Sequence, residues 1–446
     1  MRVYLSRLGG QPGRNFSFGV LVTALCAWLA MVPYGAQAQS GPALPHGGSF
    51  VAGAGTIGPA MNGSLSITQS SARGVINWNS FSIGAGGLVV INNGSGATLS
   101  RVTGGDLSRI DGLLKATGSL YLINPNGVVV GANGCVMTDG SFAASTRNIA
   151  TGNFMAGGAL TASGTSAGGV MNQGAIVARE GDVVLIGRSV ANSGSISAPR
   201  GTATLATGDS VLLTTVGGPA GIYVAPQTKD SGRLTQTGRI EAAAAALKAG
   251  GGDIYTLAGN RTGLISATGA NTVNGEVWLS APNGKVVMGG DILARNADAT
   301  GGLVVANGAE VTVAKGARIS AQGSSGGTVL VGISAMGGKD LAGSTTVADG
   351  ASILAGGAGG GGLIETSGHS VSIGKATISG GNGGEWRVDP TDLTIDAAAA
   401  STVTGSLNSG TNVTEQTTAT TVTAAGVQSA GAGDINVAAP ISWTGS

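Results

Sequence analysis

Asp389, Asp392 and Asp396 are the densest candidates for carboxylate chemistry in the chain. Clustered carboxylates on one face of a scaffold could activate water against a glycosidic bond or hold a divalent cation. Strand side chains alternate faces, so spacings of three and four do not bring all three acids together. His46 and His369 are the only histidines, and His369, in Gly368-His369-Ser370, has no paired aspartates nearby. With 83 glycines, G-x-G-x-x-G matches arise by chance, and no G-K-[S/T] phosphate loop is present. Gly380-Gly381-Asn382-Gly383-Gly384-Glu385 is loosely similar to a calcium-binding nonapeptide, but Glu stands in place of Asp and no series repeats it. The residues therefore read as surface groups and turn formers, with no catalytic, cofactor-binding or metal-ligating set. Asn124-Pro125-Asn126-Gly127 carries chemistry of another kind. Proline fixes φ, and Asn-Gly is the strongest tight-turn dipeptide. The flanking apolar runs, residues 120–123 and 128–130, read as strands, so the tetrapeptide sets the geometry of a strand-turn-strand unit.

The elements that carry this turn follow from repetition. Asn172-Gln173-Gly174-Ala175-Ile176-Val177-Ala178 returns twenty residues later as Asn192-Ser193-Gly194-Ser195-Ile196-Ser197-Ala198. Weaker forms centre on Ile240, Ile319 and Ile353. Between them lie apolar runs of three or four residues, too short for helices and too frequent for one globular core. A period near twenty with several short strands per period is the signature of a β-solenoid. One coil cannot bury its own apolar face, whereas stacked coils bury a continuous column. The fold is read as all-β, a right-handed parallel β-helix with coils of about 20 residues, about twenty coils and roughly 100 Å long. Glycine is expected at corners that need positive φ. Residues 240–247 contain five consecutive alanines, which favour helix by propensity. The repeat register puts Ile240 at a stacked strand position, and strand is expected there.

Composition narrows the class. Charged residues make up only 10% against 42% hydrophobic, which argues against a solvated disordered chain. Arg2, Arg7 and Arg14 precede an apolar run over residues 16–32, and Ala36-Gln37-Ala38 forms an A-x-A site. Residues 1–38 are read as a signal peptide cleaved before Gln39. Its removal leaves 20 Lys+Arg against 22 Asp+Glu, which does not attract nucleic acid. It also takes away Cys26 and leaves Cys135, read as a small buried residue. No later apolar stretch approaches membrane-spanning length, so no transmembrane segment is expected after cleavage.

Four ordered blocks carry a family resemblance. They are Ile76-Asn77-Trp78-Asn79-Ser80-Phe81-Ser82-Ile83-Gly84, Leu99-Ser100-Arg101-Val102-Thr103-Gly104, residues 122–131 around Asn124-Pro125-Asn126-Gly127, and Phe142-Ala143-Ala144-Ser145-Thr146. In order and spacing they resemble the haemagglutination-activity, or two-partner-secretion, domain of the filamentous haemagglutinin family, over about residues 44–149. A second, upstream Asn-Pro-Asn-Leu motif of some members is missing, since that region reads Asn92-Asn93-Gly94-Ser95. On this reading residues 39–155 form the secretion domain, 156–385 the β-helix repeats, and 386–446 a further β repeat region. No terminal cap is legible, and the chain reads as a fragment or truncated product.

The resemblance implies export without catalysis. The chain would pass through the periplasm of a Gram-negative bacterium. There its N-terminal domain, with Asn124, Pro125, Asn126 and Gly127 as the secretion motif, would meet an outer-membrane barrel transporter with periplasmic docking domains. The exported protein would be a secreted or surface adhesin, with host-cell or glycan receptors as further partners. Two alternatives remain at the level of sequence: the export module of a haemolysin, toxin or contact-dependent inhibition protein, and a β-helix enzyme acting on polysaccharide.

Overall fold

The computed structural model describes residues 42–214, 218–225, 232–256, 263–270, 273–332, 341–417 and 433–444. The leader and its cleavage residues Ala36, Ala38 and Gln39 lie outside the described residues. Among those described, 33 strands join into one wound sheet, parallel along most of its length. The fold is a right-handed parallel β-helix. Neighbouring coils are 20 residues apart where Asn172 meets Asn192 and 25 where Lys285 meets Glu310. The step lengthens to 44 between Asn192 and Gln236, where a lateral insertion leaves the stack. No helix among the described residues is long and apolar enough to cross a membrane.

The repeat motif names the core. Ile176, Ile196, Ile240, Ile265, Ile292, Ile319, Ile353 and Ile378 occupy one column in strict parallel register. All are buried. Each isoleucine meets its equivalent one coil away, so the column excludes water although a single coil could not. The alanine-rich segment is strand, Arg239–Ala249, as the register required. Alanine fits there because the strand is covered on both faces.

The glycine of the same motif answers to crowding. A Cβ on Gly174 would lie 2.2 Å from the carbonyl of Gly134, and one on Gly194 2.1 Å from that of Gly174. Neither residue has positive φ. Stacked corners bring backbone onto backbone, and only glycine leaves room.

Three features depart from uniform coiling. At the N-terminal end the strands Ser49–Ala52 and Gly55–Ile57 pair antiparallel with Arg73–Trp78 and Ser64–Gln69. Beside the coils a separate antiparallel sheet forms from Asn148–Ile149, Leu160–Ser163, Ser210–Leu213 and Ile222–Val224. Near the C-terminal end, where β repeats were expected throughout residues 386–446, Ala397–Asn408 is an α-helix. Asp396 starts it by accepting from the amides of Ala398 and Ala399.

Candidate functional site

Asn124-Pro125-Asn126-Gly127 forms a coil corner between the strands Ser119–Ile123 and Val128–Val130. These two strands do not pair with each other. The first pairs with Ala97–Val102 and Phe142–Ser145, the second with Ser108–Ile110 and Val170–Asn172. The turn is therefore a bend between two faces of the solenoid and not a hairpin. The Gly127 amide donates to the Asn124 carbonyl at 3.1 Å, and the Asn126 amide to Asn124 Oδ1 at 2.9 Å. Gly127 has φ 125°, a value that disfavours any side chain.

The corner binds both neighbouring coils. Asn124 is fully buried, and its Nδ2 donates to the Asp106 carbonyl and to Ser108 Oγ, each at 2.9 Å. Asn126 Nδ2 reaches the Gly104 carbonyl at 2.8 Å. On the other side Ser166 Oγ donates to the Pro125 carbonyl, and the Asn124 amide donates to the Ser145 carbonyl. The motif is thus divided. Asn124 and Gly127 are buried framework, while Pro125 and Asn126 are exposed. Leu107, nearly half exposed, lies beside Gly127.

The lateral sheet covers the outer face of the coils next to this corner. Ile123, Val184, Ile186 and Ala206 of the coils pack against Leu160, Ala162, Val211 and Ile222 in a second apolar core. One outward column runs from Arg101 through Ile123, Ser145, Ile186 and Ala206 to Lys248. Its two terminal cations meet the two edges of the sheet. Arg101 donates to the Ile149 carbonyl at 2.7 Å and to Asn148 Oδ1 at 2.9 Å. Lys248 Nζ donates to the carbonyls of Pro219 and Ile222 at 2.8 and 2.6 Å. By taking carbonyls of the two edge strands, these coil cations block further strand pairing there. Burial pushes the Lys248 ammonium down to about 8. Short-range sequence reading missed this sheet because its strands come from two segments some fifty residues apart, joined only through the stack.

The three candidate acids each have partners of their own in the structure. Asp396 caps the helix, and Asp392 Oδ1 accepts from the amides of Gly433 and Asp434. Asp389 is buried and accepts from Gln416 Nε2 at 2.8 Å, and burial raises its carboxyl above the usual range. His46 and His369 are exposed and make backbone contacts, with the Ser80 and Ala342 carbonyls respectively. Among the described residues no group of three His, Cys, Asp or Glu is placed to hold a metal ion. Cys135 is buried in the strand Cys135–Thr138.

A family model described as the TPS secretion domain matches residues 44–292, more than half of the chain. The chain belongs to the TPS secretion domain family. The matched stretch runs past residue 155 and takes in the corner, the lateral sheet and Lys248. The crystal structure of the HMW1 secretion domain from Haemophilus influenzae superposes with a TM-score of 0.65 at 25% identity, over 83% of this chain and 98% of that one. A heme/hemopexin-binding protein of Haemophilus influenzae strain Rd is 33% identical over 173 residues, which is 37% of this chain. Another heme/hemopexin-binding protein of Haemophilus influenzae is 38% identical over 98 residues, or 22% of this chain. These matches span only 19% and 11% of the two relatives' own lengths. TPS secretion domains mark proteins secreted through the periplasm to the cell surface, and the family is defined by export and not by an enzymatic reaction.

Proposed function

We propose that this TPS secretion domain is recognised in the periplasm by an outer-membrane barrel transporter through its docking domains, and that the corner at Asn124-Pro125-Asn126-Gly127 is part of the recognised surface. The observation that carries this reading is the division of the motif. A fully satisfied buried Asn124 holds Pro125 and Asn126 outward on a frame tied to both neighbouring coils. Such a frame presents backbone and amide groups with little freedom left to lose on binding. The exported protein is an adhesin-type surface protein, with host-cell or glycan receptors as its partners. The names of the two curated relatives favour a second reading of that activity, binding of heme or hemopexin.

The test is the double variant Asn124→Ala with Asn126→Ala in the producing bacterium. The amount of chain outside the cell should fall about tenfold, equivalent to roughly 1.4 kcal/mol of recognition free energy, with the remainder held in the periplasm. Undiminished export of the double variant would overturn the role of the corner.

A further inference from the structure

Arg147 is among the largest fully buried side chains of the protein, with 1% of its side chain exposed. An arginine in such a place needs hydrogen bonds in every direction its planar fork points. It has them. Nε donates to the Gly208 carbonyl at 2.7 Å, and one terminal nitrogen to Asp209 Oδ1 at 2.9 Å. The other donates to the Ser166 carbonyl at 2.6 Å and, longer, to Thr146 Oγ1 at 3.4 Å. The first pair of bonds grips the turn that leads into the lateral strand Ser210–Leu213. The bond to Ser166 grips the segment that lies on the secretion-motif corner.

That segment meets the corner closely. Ser166 donates its hydroxyl to the Pro125 carbonyl and accepts from the Gly168 amide at 3.0 Å. Thr146 Oγ1 donates to the Gly168 carbonyl at 3.1 Å. A Cβ on Gly168 would stand 2.5 Å from the Pro125 carbonyl, so this backbone lies directly against the turn. Val128, the residue after the motif, donates its amide to the Gly169 carbonyl. A continuous series of bonds therefore runs from Asp209 through Arg147 and Ser166 to Pro125. A methionine would fill the same volume without a buried charge, so packing alone does not require arginine here.

We propose that Arg147 is a positioning residue for the secretion-motif corner. It fixes the Ser166 segment against Pro125 and couples that segment to the lateral sheet. This rests on the reading of the corner as a recognised surface. Lysine cannot replace it, because a single ammonium does not reach Gly208, Asp209 and Ser166 together.

The test combines export from the producing bacterium with amide hydrogen exchange and thermal melting of the purified chain. Arg147→Met should speed exchange at the Asn126 and Gly127 amides by about tenfold while the coil amides of Val286 and Val311 keep their protection. Export should fall with it. Ser166→Ala, which removes the hydroxyl and keeps the backbone carbonyl that Arg147 binds, should give the same local exchange at an unchanged melting temperature. Arg147→Lys should resemble Arg147→Met. Unchanged exchange at Asn126 and Gly127 in a folded Arg147→Met protein would overturn the proposal. So would a loosened corner with normal export, provided that the Asn124→Ala, Asn126→Ala protein is retained. If that protein is exported normally as well, the reading of the corner as a recognised surface is what fails.

Discussion

Asn192 donates to Gln236 Oε1 at 2.8 Å and accepts from Asn172 Nδ2 at 2.7 Å, inside the solenoid and out of reach of water. Three coils are joined by this chain of amides. Gln236 passes its own hydrogen to the Gly238 carbonyl at 2.9 Å. Replacing the central member by leucine would leave a buried donor on Asn172 and a buried acceptor on Gln236. The expected loss is about 2–4 kcal/mol, because orphaned buried polar groups cost more than the mean worth of a bond. Urea unfolding of Asn192→Leu measures it, and a loss below about 1 kcal/mol would show that the amides do not act as a unit. The stacking of Asn172 on Asn192 was readable from the twenty-residue repeat. The burial of Asn124 was not. Its partners Asp106 and Ser108 lie 18 and 16 residues away, and only the stacking of coils makes them neighbours. A turn signal is local, whereas this partner set is made by register.

Two alanine runs of similar composition adopt different structures. Ala242–Ala246 belong to a strand, while Ala397–Ala400 open a helix. The difference lies at their borders. The first run follows Ile240 at a stacked position. The second follows Asp396, a side-chain cap, and its helix closes before Gly410 at φ 78°. Asp396, a lone capping residue ahead of the alanines, interrupts the β repeat expected across residues 386–446. The helix has a specific task. The strand Thr377–Ser379 pairs with Ser352–Leu354 on one side, and its other side faces the helix. There Thr402 Oγ1 takes the Ala376 amide at 2.9 Å and donates to the Gly374 carbonyl at 2.8 Å. Ser406 Oγ donates to the Ile378 carbonyl at 2.7 Å. Two hydroxyls thus occupy backbone groups that another strand would otherwise bind. Thr402→Val with Ser406→Val should lower the melting temperature and make the chain associate as concentration rises. Sedimentation velocity reads the association, and a variant that stays at the wild-type size would refute this account of the edge.

At the scale of the molecule, each coil contacts its neighbours and little else, apart from the stretch under the lateral sheet. This much of the architecture was legible in the repeat, since periodic burial leaves few other solutions. The lateral sheet was not legible, because its strands are short and pair only after the coils between them have stacked. The sheet changes how the molecule answers to a pull on its ends. The hydrogen bonds between coils lie along the solenoid axis, so tension opens them one coil at a time. Along the isoleucine column the C-terminal coils step by 25 to 34 residues, so a freed coil there lengthens by about 80–120 Å. The lateral strands, and Arg147 on Asp209 across 62 residues of sequence, stitch several coils together. Pulling should therefore give successive extensions of one coil each through the C-terminal coils, followed by one larger release of about 210 Å when the stitch fails. Optical-trap extension of the purified chain would show it, and a record of one-coil steps throughout would count against it. In mechanical terms, the lateral sheet stops a tear that starts at the far end before it reaches the corner.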